Sequence, residues 1–427
     1  MCRGHPGAVG GHPGWAGHGG DSTIGLMTSQ APLPLSRRTL VRAFAAGAVL
    51  AVAAGGTASA ASAAAPTTAE ATAAPLLDTR ALQAAISDLD HPHATSAQLY
   101  AFHGTERWYG TAGVAELGTG RAPRPGDRFR AGSVTKAFVA TVVLQLWREG
   151  RLKLDAPLAR YLPGLLPDDF GRRITVAHLL HHTSGLPDHQ GIPDTSTPEG
   201  VLRHRFDRWT PREWVRTATH GPLKFAPGTK QEYRGINYVL LALVVEEVTG
   251  RPYREVITER VLRPLGLSRT LTPGQDPRLH GPHVHGYLRM TDGSLEDITV
   301  YNTSSSWGEG DLVCTVDDLV RFQQALFNGE LLPPEAMDKL CSLPPDDVRM
   351  LDGGPARYGM GLQTVTVNGV TFWGKTGEVY GYRTRVFSTR DTRDARDRRL
   401  GFVLSYTPTP LTTPEQMVAR VATALTS

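Results

Sequence analysis

A serine and a lysine three residues apart are the side chains of this sequence best suited to nucleophilic chemistry. Ser133 and Lys136 stand in the run AGSVTK at residues 131–136, where a polar segment leads into an apolar helical pattern. Residues three apart at the start of a helix lie on one face, so the two side chains can touch. The helix N-terminus favours a developing alkoxide, and a desolvated lysine can act as a base when its pKa falls. Taken alone, the same spacing also fits a capping serine beside a solvated lysine.

A second run of chemically useful residues lies near the C-terminus. The run WGKTG at residues 373–377 ends a strand predicted over residues 369–373. Its lysine, Lys375, offers a fixed cation and Thr376 offers a hydroxyl, and both could orient a polar substrate. We expect Gly377, which has no side chain, to let a substrate approach the backbone.

These runs and the segment between them resemble the motifs of the serine penicillin-recognising enzymes: class C β-lactamases, D-alanyl-D-alanine carboxypeptidases and related esterases. Between them stand FAPGT at residues 225–229 and then Tyr233. Further stretches match the family in its order: FRAGS at 129–133, GRLKLD at 150–155, YLP at 161–163 and HTSGL at 182–186. The resemblance runs from about residue 77 to the C-terminus and is closest to the streptomycete D-alanyl-D-alanine carboxypeptidase type.

The resemblance implies the β-lactamase/transpeptidase-like fold, of the α/β (α+β) class. In that fold an antiparallel sheet is flanked by N- and C-terminal helices, and the active site lies between the sheet and an all-helical region. It also implies that Ser133 attacks a carbonyl and becomes acylated and that Lys136 accepts or relays its proton. Tyr233 would share the acid–base work. No metal or organic cofactor is implied.

Substrate-binding roles follow from the same resemblance. Lys375, Thr376 and Gly377 would bind the substrate, and the backbone amides of Ser133 and Glu378 would form the oxyanion hole. A tryptophan, Trp307, falls in a stretch that borders the cleft in the family. For this residue, substrate contact and core packing are both open.

The sequence departs from the family pattern in two places. The motif that usually reads Tyr-x-Asn is YRG at residues 233–235, and Asn237 is the nearest asparagine that could reach the site instead. Glu378 follows the Lys-Thr-Gly run, where small or hydroxyl residues are common. A carboxylate there would repel a free D-Ala C-terminus unless it pairs with Lys375 or Arg234. We therefore expect a preference for a neutral ester, an amide or an amine-bearing acyl acceptor.

The function predicted from these motifs is cleavage of D-alanyl peptides of peptidoglycan by an exported D-alanyl-D-alanine carboxypeptidase. β-Lactams would be acylating inhibitors or substrates. A β-lactamase or an esterase/amidase of the same fold is the first alternative, because fold does not fix substrate. A catalytically weak penicillin-binding or sensory module is the second, and the retention of Ser133, Lys136 and Tyr233 together counts against it.

Hydrophobic periodicity predicts the elements that must position these residues. The predicted helices cover residues 78–89, 134–149 and 238–248, and the last begins with Thr413 as cap and Pro414 in its first turn. The predicted strands cover residues 98–103, 108–114, 369–373, 382–388 and 400–406, with a charged loop at 390–399. This order indicates one α/β domain, closed by both chain ends, with an all-α region inserted.

The distribution of charge along the chain limits the kinds of partner that the protein can bind. The chain has 427 residues and a formal net charge of +4. Residues 1–60 carry four arginines against one aspartate, which leaves 41 basic and 40 acidic residues in the remainder. The remainder is therefore nearly neutral, and nothing indicates a nucleic-acid partner.

The N-terminal region resembles a Tat-type secretory signal. It contains SRR at residues 36–38, an apolar stretch at 43–54 and the small-residue run ASA at 58–60. The apolar stretch is too short and too rich in alanine for a membrane span, so no stable membrane anchor is predicted. We expect secretion.

We divide the chain into three segments on this basis. Residues 1–60 form the signal, of which 1–26 could lie before the true start at Met27. Residues 61–76 are an Ala/Thr/Pro-rich flexible linker, and residues 77–427 form the hydrolase domain.

Several histidines and cysteines also invite functional readings. His178, His181 and His182 have helical spacing that could imitate a metal face, and we interpret them as structural. His280, His283 and His285 form a similar group, which we assign to an exposed loop. Cys314 and Cys341 could form one disulfide in an exported protein, and we favour two buried free thiols.

Overall fold

The computed structural model describes residues 77–390 and 399–427. The predicted signal and linker, and most of the predicted charged loop at 390–399, lie outside the described residues. Within the described part, no helix combines the length and the apolar character that a membrane crossing would need.

Helices make up most of the middle of the described chain. In chain order they are α1 (Thr79–Ser87), α2 (Thr135–Arg148), α3 (Asp168–Arg173), α4 (Val176–Leu180), α5 (Pro198–His204), α6 (Pro211–Thr217), α7 (Ile236–Thr249), α8 (Tyr253–Ile257), α9 (Val316–Phe327), α10 (Pro334–Leu340) and α11 (Gln416–Thr426). A short 3₁₀ turn at Gly132–Val134 leads directly into α2.

The strands of five or more residues lie towards the two ends of the chain, and strands of two or three residues lie between them. They are β1 (Ala94–His103), β2 (Glu106–Gly113), β3 (Phe129–Arg130), β4 (Lys230–Gln231), β5 (Tyr287–Arg289), β6 (Leu295–Asp297), β7 (Val313–Cys314), β8 (Arg349–Met350), β9 (Gln363–Val367), β10 (Val370–Val379), β11 (Tyr382–Thr389) and β12 (Leu400–Pro408). Six of them form an antiparallel sheet in the order β2-β1-β12-β11-β10-β9.

Each face of this sheet packs against a different set of helices, because side chains alternate along a strand. Leu404 of β12 faces the terminal helices α1 and α11, with Leu82 and Val421 in the same cluster. Its neighbour Val403 faces the opposite way, into the larger core that contains α2, α7 and α9. The N- and C-terminal helices therefore cover one face and the helical region covers the other. This is the predicted β-lactamase/transpeptidase-like architecture.

The large core is built around two largely buried helices, α2 and α7. Residues 236–245 of α7 are all buried, as expected for a helix that is hydrophobic on every side. The helix ends at Gly250, whose φ of +69° is the left-handed conformation that glycine adopts most readily. In α2, the ring of Phe138 stacks on Phe322 of α9 with 3.7 Å between ring centroids. This contact packs the first turns of α2 against α9.

Several of the predicted element boundaries were wrong, and β1 begins at Ala94 instead of residue 98. The strand predicted over 369–373 extends through β10 to Val379, so the Lys-Thr-Gly run lies inside a strand instead of at its end. The last helix begins at Gln416, preceded by Glu415, and Thr413 and Pro414 lie before it. The Thr413 hydroxyl instead contacts the Pro410 carbonyl oxygen.

Candidate active site

Ser133 and Lys136 meet at the start of α2. The 3₁₀ turn presents a half-buried Ser133, and Lys136 lies in the first turn of the helix with its side chain almost fully buried. Lys136 Nζ lies 3.0 Å from Ser133 Oγ. The spacing therefore brings the two side chains into the contact that nucleophilic catalysis needs.

Glu309, in the loop before β7, completes the surroundings of the lysine. Lys136 Nζ donates to the Glu309 backbone oxygen at 2.8 Å and lies 3.1 Å from its carboxylate Oε2. Burial lowers the pKa of Lys136, and the neighbouring Glu309 charge opposes that shift. A lysine with a lowered pKa can accept a proton from the serine.

Tyr233 lies between the two lysines of the site. Its ring centroid is 5.1 Å from Lys136 Nζ and 4.7 Å from Lys375 Nζ. Among the described residues its buried hydroxyl makes no hydrogen bond of ordinary geometry, and Ser133 is the hydroxyl side chain next to it. Burial raises the pKa of Tyr233, so the phenol stays protonated, and its position beside Ser133 and Lys136 suits it to relay a proton between other groups.

His182 holds the segment that carries Tyr233. Its Nδ1 accepts a hydrogen bond from the backbone N–H of Arg234 at 3.2 Å, and its ring lies 4.4 Å from that of Tyr233. Burial and the nearby lysines Lys136 and Lys375 lower the pKa of His182, which keeps the ring neutral and able to accept. This histidine orders the active-site loop.

The second lysine is placed by β10. Lys375 is buried and donates to the Thr376 backbone oxygen at 2.9 Å. The Thr376 hydroxyl donates to Gln363 Oε1 of β9 at 3.0 Å. Burial, together with the charges of Lys136 and Arg385, lowers the pKa of Lys375. No local pattern in the sequence marks Gln363, because only the pairing of β9 with β10 brings it beside Thr376.

Two glycines let the serine segment cross β10 at very short range. A Cβ on Gly132, whose φ is +56°, would lie 2.7 Å from the backbone nitrogen of Glu378. A Cβ on Gly377 would overlap the carbonyl oxygen of Ala131. Gly377 therefore makes room for this chain's own backbone, in addition to any substrate. The crossing sets the backbone of Ser133 close to that of Glu378, where an oxyanion hole is expected.

Glu378 pairs with two arginines of β11, which are not the partners considered from the sequence. Its carboxylate contacts Arg385 Nη2 of β11 at 2.9 Å and Arg383 Nε at 3.4 Å. Arg385 is fully buried and also pairs with Glu415. Arg234 pairs instead with Asp188. Register explains the result, because β11 runs antiparallel beside β10 and sets Arg383 directly opposite Glu378.

Asn237 and Trp307 lie behind the reacting groups. Asn237 is fully buried in α7, where its Oδ1 accepts from Ser184 Oγ at 2.7 Å and its amide nitrogen lies 3.3 Å from His182 Nδ1. Both the oxygen and the nitrogen of the Asn237 amide therefore already have partners within the protein. The half-buried Trp307 meets Tyr253 edge-on, with 5.1 Å between ring centroids. It packs against the large core.

The remaining histidines and cysteines have structural contacts. Cys314 and Cys341 are both buried free thiols. His181 contacts the Ser342 carbonyl oxygen at 3.0 Å. The others contact nearby polar groups: His178 with Thr175, His280 with Asp276, His283 with Gly281 and His285 with Asp297.

A buried carboxyl lies just beyond Glu309. Asp311 is fully buried, accepts from the Tyr253 hydroxyl at 3.2 Å and has one oxygen without a partner in the described part of the chain. Burial raises the pKa of Asp311 to about 7. Ionisation of this group therefore destabilises the folded protein as the pH rises from its unfolded pKa, near 4, towards 7.

Replacing this carboxyl tests that assignment. We expect Asp311→Asn to gain stability relative to the wild type by about 2 kcal/mol between pH 5.5 and pH 8. Asparagine keeps an acceptor for Tyr253 and cannot ionise. Denaturant unfolding at the two pH values measures the difference. An equal effect at both would show that the carboxyl does not titrate in this range.

Comparisons with known proteins agree with this geometry. The family model described as Beta-lactamase matches residues 79–424. A solved D-stereospecific amidohydrolase from Streptomyces sp. is 32% identical with a TM-score of 0.69, and the match covers 80% of this chain and 97% of that one. A D-alanyl-D-alanine-carboxypeptidase/endopeptidase, AmpH of Escherichia coli, is 28% identical over 56% of this chain and 58% of its own length. Esterase EstB of Burkholderia gladioli is 35% identical over 46% of this chain and 52% of its own length. The chain thus spans about half the length of these curated relatives.

Proposed function

Because the chain belongs to the β-lactamase family, we propose that it is a serine hydrolase that cleaves D-alanyl peptides through an acyl-enzyme on Ser133. In this mechanism Lys136 accepts the proton of the Ser133 hydroxyl as its oxygen attacks the substrate carbonyl. The backbone amides of Ser133 and Glu378 stabilise the oxyanion. Tyr233 relays that proton from Lys136 to the leaving amine, so that Lys136 is neutral again. Water then hydrolyses the ester, its oxygen going to the acyl group and one of its protons to Ser133 Oγ.

We propose that the enzyme is a D-alanyl-D-alanine carboxypeptidase because of the charges around Glu378 of β10. The departing D-alanine carries a free carboxylate, and the Glu378 carboxylate would repel it if it were unpaired. The contacts of Glu378 with Arg383 and Arg385 offset that charge. Lys375 adds an N–H donor on the same strand. This pairing is the observation that carries the carboxypeptidase assignment.

One feature favours an esterase or amidase as a second candidate. The Glu378 side chain keeps 23% of its surface exposed, so a negative charge still faces the cleft. A neutral amide or ester would avoid that charge. The solved amidohydrolase and the esterase among the similar proteins support this alternative.

A comparison of three substrates decides between the candidates. The purified protein is given a D-Ala-D-Ala peptide with a free C-terminus, the same peptide as its amide, and a chromogenic cephalosporin. We expect the free acid to have the largest kcat/KM. Faster turnover of the amide would favour the second candidate, and rapid turnover of the cephalosporin would indicate a β-lactamase.

Neutralising Glu378 tests the electrostatic argument directly. We expect Glu378→Gln to raise the kcat/KM of the free acid relative to that of the amide by about 3- to 10-fold, since it removes one negative charge near the leaving group. Glu335→Gln, an exposed glutamate of α10, is the matched control and should leave the ratio unchanged. An unchanged ratio in Glu378→Gln would mean that the substrate carboxylate binds elsewhere.

The proposal also includes export. The twin-arginine pattern at residues 36–38, with its apolar stretch and small-residue run, supports a Tat-type route. D-Alanyl peptides of peptidoglycan lie outside the cell membrane, so secretion would bring enzyme and substrate together. β-Lactams are the acylating inhibitors or substrates that this proposal implies.

A further inference from the structure

We propose that Glu309 is a positioning residue, whose carboxylate fills the place of the missing motif asparagine and orients the Lys136 amine towards Ser133. The inference rests on the proposed acyl-enzyme mechanism, in which Lys136 is the base. It assigns a function to a residue that no motif marks. Three observations carry it.

The first observation is the set of contacts around Lys136 Nζ. Its polar neighbours are Ser133 Oγ at 3.0 Å, the Glu309 backbone oxygen at 2.8 Å and Glu309 Oε2 at 3.1 Å. A neutral amine has two N–H donors and one lone pair. The Glu309 backbone oxygen is an acceptor, and so is Oε2 of a carboxylate. These two oxygens therefore take up both N–H groups of the amine. The lone pair is then left for the Ser133 hydroxyl, as a general base requires.

The second observation is the space above Gly235. A Cβ built on this glycine would overlap both oxygens and the carboxyl carbon of Glu309. The Gly235 backbone has φ −60° and ψ −43°, an ordinary helical conformation that any residue can adopt. The backbone conformation therefore does not require glycine at this position. The Glu309 side chain does, because it occupies the space that a Cβ would need. A side chain at 235 and the carboxylate of Glu309 compete for one volume.

The third observation is electrostatic. The charged and titratable groups around Lys136 are Glu309 and Asp311 from the loop before β7, Tyr233, Tyr238 and Tyr358, His182, and Lys375 of β10. Burial lowers the pKa of Lys136, and the Glu309 carboxylate gives the largest opposing effect. Removing that charge should lower the pKa of Lys136 further. The neutral, basic form of the lysine would then appear at lower pH.

The experiment measures kcat/KM from pH 4 to 10 for the full chain and a set of variants. These are Glu309→Gln, Glu309→Ala, Gly235→Asn, the double variant Gly235→Asn/Glu309→Ala, and Glu335→Gln as a control for loss of a distant charge. Thermal melting of each variant reports whether it is folded. Glu309→Gln is nearly isosteric, so it keeps the test valid if a more disruptive variant does not fold.

We expect the acidic limb of the Glu309→Gln profile to move to lower pH by about one pH unit, with its plateau within about tenfold of the wild type. Glu309→Ala should lose about 10- to 100-fold in kcat/KM, and Gly235→Asn at least as much. The kcat/KM of the double variant should be about tenfold higher than that of Gly235→Asn. In the double variant the Glu309 side chain no longer occupies the space that the asparagine needs. Glu335→Gln should match the wild type.

Failure of this inference differs from failure of the proposed function. A Glu309→Gln profile that coincides with the wild type, together with a double variant no more active than Gly235→Asn, overturns the positioning role. Covalent labelling by a fluorescent penicillin separates the two cases. If the wild type is labelled and Ser133→Ala is not, the acyl-enzyme mechanism stands whatever the Glu309 variants show.

Discussion

Ser133→Ala is expected to lower kcat/KM for a D-Ala-D-Ala peptide by about 10⁴- to 10⁶-fold, since removing the nucleophile of a serine hydrolase has effects of that size. Lys136 lies 3.0 Å from the Ser133 hydroxyl and has no other hydroxyl partner in the described contacts. Without Ser133 its lone pair therefore has no nucleophile to activate. The release of free D-alanine measures the rate.

A serine elsewhere provides the control for this variant. Ser87 is exposed at the end of α1, on the opposite side of the sheet from the site, and Ser87→Ala should keep wild-type turnover. Thermal melting should show that both variants are folded. Turnover of Ser133→Ala within tenfold of the wild type would contradict the assignment of the nucleophile.

Gly132→Ala is expected to reduce kcat by about 10²- to 10³-fold, the usual effect of disturbing one oxyanion donor. The added Cβ would lie 2.7 Å from the Glu378 backbone nitrogen, a distance that requires two backbones to separate. That separation would move the amides of Ser133 and Glu378 apart. Steady-state kinetics with the same peptide measures the loss.

The chain offers a matched control for backbone strain. Gly164 also has a positive φ, +70°, but a Cβ there meets no atom within 4 Å. Gly164→Ala therefore carries the strain of a left-handed alanine, about 1 kcal/mol, without the collision. We expect it to lose some stability and to keep its kcat. Equal kcat values in the two variants would show that the close crossing is not needed for catalysis.

Local spacing was enough to predict the centre of the site. Ser133 and Lys136 belong to one turn of one helix, so their contact follows from helical geometry. Periodicity and apolar runs predicted α1, β1 and β12 as single elements, and the antiparallel sheet with its two flanking helices followed from the family resemblance. The order of motifs located Tyr233 and Lys375 without any knowledge of tertiary contacts.

Partners fixed by tertiary structure could not be predicted in the same way. Glu309 reaches Lys136 across 173 residues, and no local pattern marks it apart from its position beside Trp307 and Gly308. The pairing of Glu378 with Arg385 depends on the register of β10 against β11. The sequence suggested Lys375 or Arg234 as partners of Glu378, and the fold provides Arg383 and Arg385.

The extent of β10 was underestimated for a related reason. The predicted strand ended at residue 373, just before Gly374 and Gly377. In the structure both glycines make room for neighbouring backbone, Gly374 for the Val386 carbonyl oxygen and Gly377 for that of Ala131. Pairing with β9 and β11 on either side keeps the strand continuous.

Mass spectrometry of the protein after exposure to a penicillin tests the central claim most directly. Opening of the β-lactam ring by a serine leaves every atom of the drug attached, so the intact mass should rise by one whole penicillin molecule. Peptide mapping should place the adduct on Ser133, and the Ser133→Ala variant should gain no mass. An adduct on another residue, or an equal adduct in Ser133→Ala, would contradict the account.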